Sequence, residues 1–260
     1  MMKPKSDYVI QTVQNAMRLL ESFQDDIELG VSELSRRLGL HKNNVFRLLA
    51  TLEQSGHIEQ SAATDRYRLG PRCLELGRSF ARGSRLLERA RPLLSDLAND
   101  LGESAHLGVM HNFEVVHLDG EQPRQLVLAS SRVGGRMPVH SSALGKVLIG
   151  NADEATRTDY DTQVVARGLE ARTDGTITDR DKLFEHLRTV AVQGFALDID
   201  EYELGLRCAA APVFDAEGRC VAGLSVSGPA PRMSEDRLHC EVVEVLTGSA
   251  DRLSAQLGRS

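Results

Sequence analysis

The segment His41-Lys42-Asn43-Asn44, followed by Arg47, carries side chains whose chemistry suits the edges of DNA bases. An Asn amide can bond adenine through two contacts, and Lys or Arg can pair with guanine or with phosphate oxygens. Taken singly, Lys42 and Arg47 also fit an ordinary solvated helix face, and Asn43 or Asn44 could simply cap a helix. The elements on either side of the segment decide between these alternatives.

Two short helices joined by a tight turn are predicted around this segment. Apolar residues recur at helical spacing on both sides of Gly39: Val31, Leu34 and Leu38 before it, and Val45, Leu48, Leu49 and Leu52 after it. Gly39 has no Cβ and makes the turn without strain, and Gly56 is a natural stop for the second helix. A helix-turn-helix presents the start of its second helix to DNA. The pattern therefore predicts DNA binding.

A preceding helix and a following hairpin complete a winged-helix plan. The apolar stripe of the preceding helix consists of Val9, Val13, Ala16, Met17, Leu20 and Phe23. After Gly56, polar and apolar residues alternate on both sides of the turn-forming stretch 61–65, which predicts a two-stranded hairpin. Arg66 and Arg68 flank Tyr67 in this wing, and we expect their guanidinium groups to contact the DNA backbone or a narrow minor groove.

Composition limits the class of protein further. The 31 basic and 37 acidic residues exclude a wholly basic protein that coats nucleic acid. Residues 1–72 hold ten of the basic and nine of the acidic residues, so the net negative charge lies in the rest of the chain. No run approaches the about 18 apolar residues that span a bilayer, and the amino-terminal segment has no apolar signal core. We therefore expect a soluble, cytoplasmic protein. The four cysteines lack CxxC spacing and have no neighbouring histidine at zinc-ligand spacing, which favours separate reduced thiols over a metal site or disulfides.

Residues 71–101 are predicted to link two domains. Apolar side chains at Leu74, Leu76, Phe80, Leu86 and Leu87 are interspersed with Arg72, Arg78, Arg82, Arg85, Arg89 and Arg91. This pattern indicates an amphipathic helix with one basic side. It is either a dimer-forming connector near DNA or a surface helix with solvated arginines, and we favour the connector. Pro92 is expected to open a second helix over 92–101.

The remainder has the pattern of an α+β domain, with antiparallel hairpins in one sheet and helices beside it. Strands are predicted at 105–110, 115–119, 125–131, 137–140, 195–198, 206–214 and 220–227. A helix over 142–148 has amino-terminal amides that could hold a carboxylate. Thr178 with Asp181 resembles a capping box for a helix that ends near Gly194. A final amphipathic helix is expected over about 234–257.

The chain as a whole resembles the IclR family of bacterial transcriptional regulators. The resemblance is carried by QTVQNAMRLLESF, ELSRRLGLHKNNVFRLLATLEQSG, RYRLG, PVHSSALGK, GFALDIDEYELGLRCAAAPVFD and LSVSGP, of which the GFALDID…PVFD block is the most specific. It implies an α+β protein with a winged helix-turn-helix domain at 1–70, linker helices at 71–101 and a GAF-like α/β effector-binding domain with an antiparallel sheet at 102–260. One departure is the His41–Asn44 segment, where many members have a Pro-Lys-Ser-Thr-like sequence.

The resemblance also implies a function. A dimer or dimer of dimers would bind palindromic double-stranded operator DNA and respond to a small-molecule effector, without a cofactor and without a membrane. The DNA-binding residues would be Lys42, Asn43, Asn44, Arg47, Arg66 and Arg68. The effector pocket would be lined by the positions that match Met137, Val139, Ala143, Leu144, Asp198, Leu206, Cys208, Ser225 and Ser227.

Residue chemistry agrees with such a pocket. Leu206 and Cys208 are two positions apart and share one strand face, as do Ser225 and Ser227. Two hydroxyls and a thiol beside apolar neighbours would form a small pocket with few polar anchors, which suits a small organic acid. Asp198 would either accept a hydrogen bond from a ligand hydroxyl or be protonated beside a carboxylate. Each residue alone could equally be a satisfied strand side chain.

Two other functions compete with this interpretation. An enzyme with an appended DNA-binding head is one, because His140, Ser141, Lys146, Cys208 and Ser225 could support nucleophilic chemistry. None of them lies in a GxSxG elbow, a Cys-His signature or a metal motif, so no catalytic or metal-binding residue is predicted. A ligand-independent DNA-binding protein is the other, and a flat or filled sheet at the expected pocket would support it.

Overall fold

The computed structural model describes residues 8–24, 26–123 and 133–259. The chain forms two compact units, the first ending at Ser84 and the second beginning at Arg85. The predicted linker over 71–101 is therefore divided between the two units. Among the described helices, none is long and apolar enough to cross a membrane.

The first unit is a winged helix-turn-helix. Its elements are α1 (Gln11–Glu21), α2 (Val31–Leu38), α3 (Lys42–Gln54), β1 (Ile58–Gln60), β2 (Tyr67–Leu69) and α4 (Pro71–Gly83). The turn predicted at Gly39 is confirmed, since this residue has a left-handed backbone with φ 68°. Strands β1 and β2 are antiparallel, and Leu29 and Tyr67 exchange two backbone hydrogen bonds of 2.9 Å. The wing is thereby fastened to the segment that precedes α2.

The apolar stripe predicted for the first helix is only partly buried. Leu19 and Phe23 are buried in the core with α2 and α3. Val9, Val13 and Met17 are instead 56%, 51% and 53% exposed. Two rows of apolar side chains run along this helix, and the neighbouring helices cover only one of the rows. The sequence pattern cannot show which row is covered, because both have helical spacing.

Helix α4 begins with Pro71 at a position where the missing N–H is not needed. No side chain of this helix is buried. Leu74, Leu76 and Phe80 are about 60% exposed. Within the described residues, α4 therefore presents an apolar surface that its own unit does not cover.

The second unit is an antiparallel sheet with helices on both faces. Its elements are α5 (Arg85–Leu101), β3 (Ser104–His111), β4 (Glu114–Glu121), β5 (Arg136–Pro138), α6 (Ala143–Gly150), α7 (Glu154–Gln163), a 3₁₀ turn (Val165–Arg167), α8 (Arg180–Gln193), β6 (Ala196–Ile199), β7 (Leu206–Phe214), β8 (Cys220–Pro229), α9 (Glu235–Arg237), a π-helical turn (Leu238–Val242) and α10 (Val243–Gln256). The strand predicted at 125–131 lies outside the described residues.

The sheet places its two faces against different helices. Its strand order is β5-β4-β3-β8-β7-β6, and α5 and α10 pack against β3, β4, β7 and β8. Helix α6 covers the opposite face, because a Cβ at Gly108 or Gly223 would lie 3.0 or 2.8 Å from the Leu144 side chain. Glycine at these two strand positions lets α6 approach the sheet closely. The predicted α+β architecture is confirmed.

Two predicted helix boundaries are wrong. Pro92 does not open a helix but lies inside α5, because buried Leu87 and Ala90 hold the preceding turn against the core and packing outweighs the lost N–H bond. Helix α8 is capped by Asp179, whose Oδ1 accepts from the Lys182 N–H at 2.9 Å, and not by Thr178. Its predicted end is confirmed by Gly194, which has φ 78°.

Candidate functional site

The exposed surface of α3 carries the predicted DNA-reading residues. Lys42, Asn43, Asn44 and Arg47 are all exposed. The helix is capped by His41, whose Nδ1 accepts from the Asn43 N–H at 3.3 Å. Neither asparagine side chain is therefore needed as the cap, and both stay available at the amino-terminal end of α3.

Phe46, an aromatic residue on the same surface, was not predicted from the sequence as a DNA contact. Phe46 is 57% exposed in the middle of α3, one helical turn after Lys42. An exposed phenylalanine at this place could contact a thymine methyl group. The sequence contained a signal for this residue. The buried positions of α3 include Val45 and Leu48, and Phe46 is an apolar residue on the polar side of the same helix.

The two wing arginines are engaged in ion pairs. Arg66 Nη2 lies 2.7 Å from Glu33 Oε2, and Arg68 Nη2 lies 3.2 Å from Glu59 Oε2. The Glu33 carboxylate also accepts from the Gly30 N–H at 2.8 Å. This backbone hydrogen bond and the Arg66 charge hold the pKa of Glu33 below its usual range. By contrast, no described residue forms an ion pair with Lys42 or Arg47 on α3.

A cavity lies between the sheet and the start of α6. Strand register places Asp198 opposite Cys208, and Cys208 opposite Ser227. The cavity is about 10 Å³ in volume, which is room for a single water molecule. Its lining residues are His117, Met137, Ser142, Ala143, Leu144, Asp198, Cys208, Ser225 and Ser227.

The structure brings most of the predicted pocket residues together. Met137, Ala143, Leu144, Asp198, Cys208, Ser225 and Ser227 line the cavity. Val139 and Leu206 do not, and are buried in the adjacent hydrophobic core instead. His117 and Ser142 also line the cavity and were not predicted from the sequence. The alternation of β4 was the available signal for His117, because it shares a face with buried Val115.

Close packing fixes the start of α6 at the cavity. Ser142 Oγ accepts from the Gly145 N–H at 3.1 Å and donates to the Pro138 carbonyl at 2.7 Å. A Cβ on Gly145 would lie 2.2 Å from the Val139 carbonyl oxygen, so only glycine allows this approach. The first turn of a helix has N–H groups without intrahelical partners. These groups belong to a turn whose residues Ala143 and Leu144 line the cavity.

Three buried charged residues adjoin the cavity. Asp198 Oδ1 accepts from the Glu201 and Tyr202 N–H groups at 2.9 and 3.2 Å. Lys146 of α6 is fully buried and its Nζ donates to Glu201 Oε1. Burial raises the pKa of Asp198 to about 6 and also raises that of Glu201, against the opposing effect of Lys146. Among the described residues, Asp198 Oδ2 has no hydrogen-bond partner.

The loop that follows Asp198 is held by a second loop. Thr173 Oγ1 donates to the Asp200 carbonyl at 2.6 Å, and Thr176 Oγ1 donates to the Glu201 carbonyl at 2.7 Å. The Arg172 guanidinium lies 4.4 Å from the centre of the Tyr202 ring. This network holds the loop beside the cavity.

His140 serves this packing and is not placed as a base. Its Nε2 lies 2.9 Å from the Glu170 carbonyl oxygen. Burial lowers the pKa of the ring, so the neutral form is favoured near neutral pH. A neutral ring that bonds a backbone carbonyl holds His140 in a structural role at the start of α6.

An exposed α3 surface with Lys42 and Arg47 in one unit, and a cavity lined by both polar and apolar side chains in the other, define a DNA-binding protein with a sensory domain. Comparison with known families agrees. Residues 12–62 match the family described as the IclR helix-turn-helix domain, and residues 79–255 match the bacterial transcriptional regulator IclR C-terminal domain. The chain belongs to the IclR family of ligand-responsive, DNA-binding transcriptional regulators.

Individual relatives are similar over most of their length. The chain is 36% identical to the HTH-type transcriptional regulator BhcR of Paracoccus denitrificans, covering 88% of this chain and 81% of the relative. It is 34% identical to the HTH-type transcriptional regulator KdgR of Escherichia coli, covering 96% and 93%. A crystal structure of an IclR homolog complexed with 4-hydroxybenzoate, from Microbacterium hydrocarbonoxydans, superposes with a TM-score of 0.79 at 26% identity, covering 95% and 98% of the two chains.

Proposed function

We propose that this chain is a one-component switch that senses a small organic acid and acts as a homodimer or dimer of dimers on palindromic operator DNA in the cytoplasm. The observation that carries the proposal is the convergence of Asp198, Cys208, Ser225 and Ser227 on one cavity between the sheet and α6. Effector binding there would shift the equilibrium between two arrangements of the DNA-binding units. Such a shift requires that the effector bind the two arrangements with different affinity.

The chemistry of the cavity supports an acid as effector. Helix amino-termini favour anions through their free N–H groups and the helix dipole, and α6 begins at the cavity. Ser225 and Ser227 add hydroxyl donors. The crystal structure of the IclR homolog with 4-hydroxybenzoate supports the same class of ligand. The cavity volume of about 10 Å³ means that the effector must displace side chains such as Met137 or Leu144 when it enters.

DNA reading is assigned to α3 and the wing. Lys42, Asn43, Asn44 and Arg47 would contact base edges and phosphates in the major groove. Arg66 and Arg68 would contact the DNA backbone once their ion pairs to glutamate exchange for phosphate. The exposure of the α3 residues supports the first assignment, as does the lack of an ion partner for Lys42 or Arg47 among the described residues. The relatives named as regulators support a function without catalysis.

Self-association is assigned to the exposed apolar surface of the first unit. Val13 and Met17 on α1, with Leu76 and Phe80 on α4, are each more than half exposed. Exposed apolar patches on a monomer are uncommon unless they bind a partner. A second copy of the chain is the partner that a palindromic operator calls for, because two-fold symmetric half-sites match a two-fold symmetric protein.

Two measurements test the switch. A duplex is selected from a random pool by the full-length protein, and its affinity is then measured with and without each member of a panel of small organic acids. We expect selected duplexes to be palindromic, and at least one acid to shift both operator affinity and thermal stability. If no acid in a broad panel changes either quantity, the sensory half of the proposal is wrong. If no duplex is enriched, the DNA-reading half is wrong.

A further inference from the structure

We propose that Asp198 receives the effector in its neutral, protonated form, so that each effector anion binds together with one proton. The inference rests on the proposed function, since it assumes that the effector is an acid. It adds the protonation state in which the site recognises its ligand. It also adds a dependence of effector affinity on pH.

The geometry leaves one oxygen of Asp198 for the ligand. Asp198 is 1% exposed and lines the cavity. Its Oδ1 already accepts two backbone N–H groups, from Glu201 and Tyr202. Its Oδ2 is buried and has no hydrogen-bond partner among the described residues. A protonated Oδ2 could donate to an effector carboxylate, whereas a charged one would repel it.

The local charges do not neutralise Asp198. Lys146, the buried cation on α6, donates to Glu201, and its charge is offset by that carboxylate. With Asp198 ionised, the three residues carry a net charge of about −1, and an effector anion would bring a second negative charge into the same low-dielectric space. Taking up one proton removes this repulsion. Asp198 is the carboxyl that can take up this proton, because its Oδ2 at the cavity has no hydrogen-bond partner among the described residues.

Besides Lys146 and Glu201, titratable groups near Asp198 among the described residues are His117 on β4, Cys208 on β7 and Tyr202 on the adjoining loop. His106 on β3 is a further buried histidine, and its ring centre lies 5.4 Å from that of His117. His117 and Cys208 line the cavity with Asp198. His117 is the competing proton acceptor, because an imidazole titrates near neutral pH. The raised pKa of Asp198, at about 6, supports the carboxyl. At that pKa about one molecule in ten is protonated at pH 7, and the fraction falls about tenfold for each further pH unit.

The experiment measures proton uptake on binding to the full-length protein. The probes are 4-hydroxybenzoate, benzoate, lactate and propionate, and the tightest binder is titrated calorimetrically in buffers with different heats of ionisation. We expect uptake of close to one proton per acid at pH 7.5. We also expect a dissociation constant that rises about tenfold per pH unit between pH 7 and 8.5, as linkage to one proton requires.

Two variants locate the proton. Asp198→Asn keeps the acceptor for the two backbone N–H groups, and we expect it to bind the acid with little dependence on pH and no proton uptake. His117→Gln should retain the tenfold dependence per pH unit, whatever its effect on the affinity itself. If His117→Gln abolishes proton uptake and Asp198→Asn retains it, the inference is overturned.

Other outcomes separate the inference from the function beneath it. Acid binding by the unmodified protein without proton uptake overturns the inference and leaves the proposed function standing. This result needs no variant, so it holds even if Asp198→Asn does not fold. Binding of none of the four probes at any pH between 5.5 and 8.5, together with no response to a broader acid panel, overturns both.

Discussion

Arg66 in the wing is bound to Glu33 on α2, with Nη2 2.7 Å from Oε2. The same nitrogen donates to the Glu28 carbonyl at 3.0 Å. This arrangement joins the hairpin to the first helix of the helix-turn-helix. It also occupies a guanidinium that the sequence assigns to DNA, whereas Arg47 on α3 has no ion partner among the described residues. The two arginines should therefore respond differently to substitution.

Arg47→Ala is expected to weaken binding to the selected duplex about tenfold and to lower the slope of log affinity against log salt by about one ion. Fluorescence anisotropy at several salt concentrations measures both quantities. Arg167→Ala removes an exposed arginine from the second unit and serves as the matched control, with no expected change. Unchanged binding of Arg47→Ala would remove this residue from the DNA contacts.

Two variants, Arg66→Ala and Glu33→Gln, distinguish a structural role of Arg66 from a contact with DNA. Both break the ion pair and should slightly lower the melting temperature of the first unit. Only Arg66→Ala removes a positive charge from DNA, so we expect it to lower affinity while Glu33→Gln leaves affinity unchanged or raises it. Equal loss of affinity in both variants would show that Arg66 acts through the fold alone.

Gly145→Ala is expected to destabilise the second unit by about 2 kcal/mol or more, because the new Cβ forces apart backbone that cannot move independently. The Val139 carbonyl would lie 2.2 Å from that Cβ. The matched control is Gly248→Ala on α10, where a Cβ meets nothing within 4 Å, and where alanine should be neutral or stabilise the helix by up to about 1 kcal/mol. Chemical denaturation followed by circular dichroism measures both. Equal stability of the two variants would contradict the close approach of α6.

Lys146→Met is expected to cost about 3–5 kcal/mol of unfolding free energy, because it leaves the Glu201 carboxylate buried without its cation. The double variant Lys146→Met with Glu201→Gln should recover much of that loss, since no uncompensated charge then remains in the pair. A double-mutant cycle by chemical denaturation gives the coupling. Additive losses in the double variant would show that the two side chains do not interact in solution.

Asp198 should make stability depend on pH. Its folded pKa of about 6 lies above the ordinary value of 3.8, so between these values the folded state holds a proton that the unfolded chain has released. The free energy of unfolding from this group therefore falls as pH rises from about 4 to about 6, by roughly 3 kcal/mol in total. Asp198→Asn lacks this contribution, and the difference between the two stability curves isolates it. A constant difference across that range would contradict the raised pKa.

If a second copy covers the apolar surface as proposed, Phe80→Glu on α4 should shift the protein from dimer towards monomer, because a charge would then be buried at that interface. Arg78→Glu changes the charge of the same helix at a polar position and is the control. Sedimentation velocity over a range of protein concentrations measures the association. A dimer of unchanged strength in Phe80→Glu would place the interface elsewhere.

Some of this protein follows from local sequence pattern alone. The helices on both sides of Gly39 have periodicities that specify their buried faces, since burial of one face needs a fixed repeat. Local backbone chemistry also places the helix ends at Gly39 and Gly194. The nine pocket positions came instead from the resemblance to the IclR family, and seven of them lie at the cavity.

Other features depend on distant parts of the chain, and only the tertiary structure decided them. Local signals placed a helix start at Pro92, which core packing of Leu87 and Ala90 overrode. Lys146 and Glu201 are 55 positions apart, and only the fold brings their side chains together next to Asp198. Arg66 pairs with Glu33, 33 positions away, for the same reason. Sequence patterns encode which face of an element is apolar, whereas the partners of a charged side chain are set by how the elements pack.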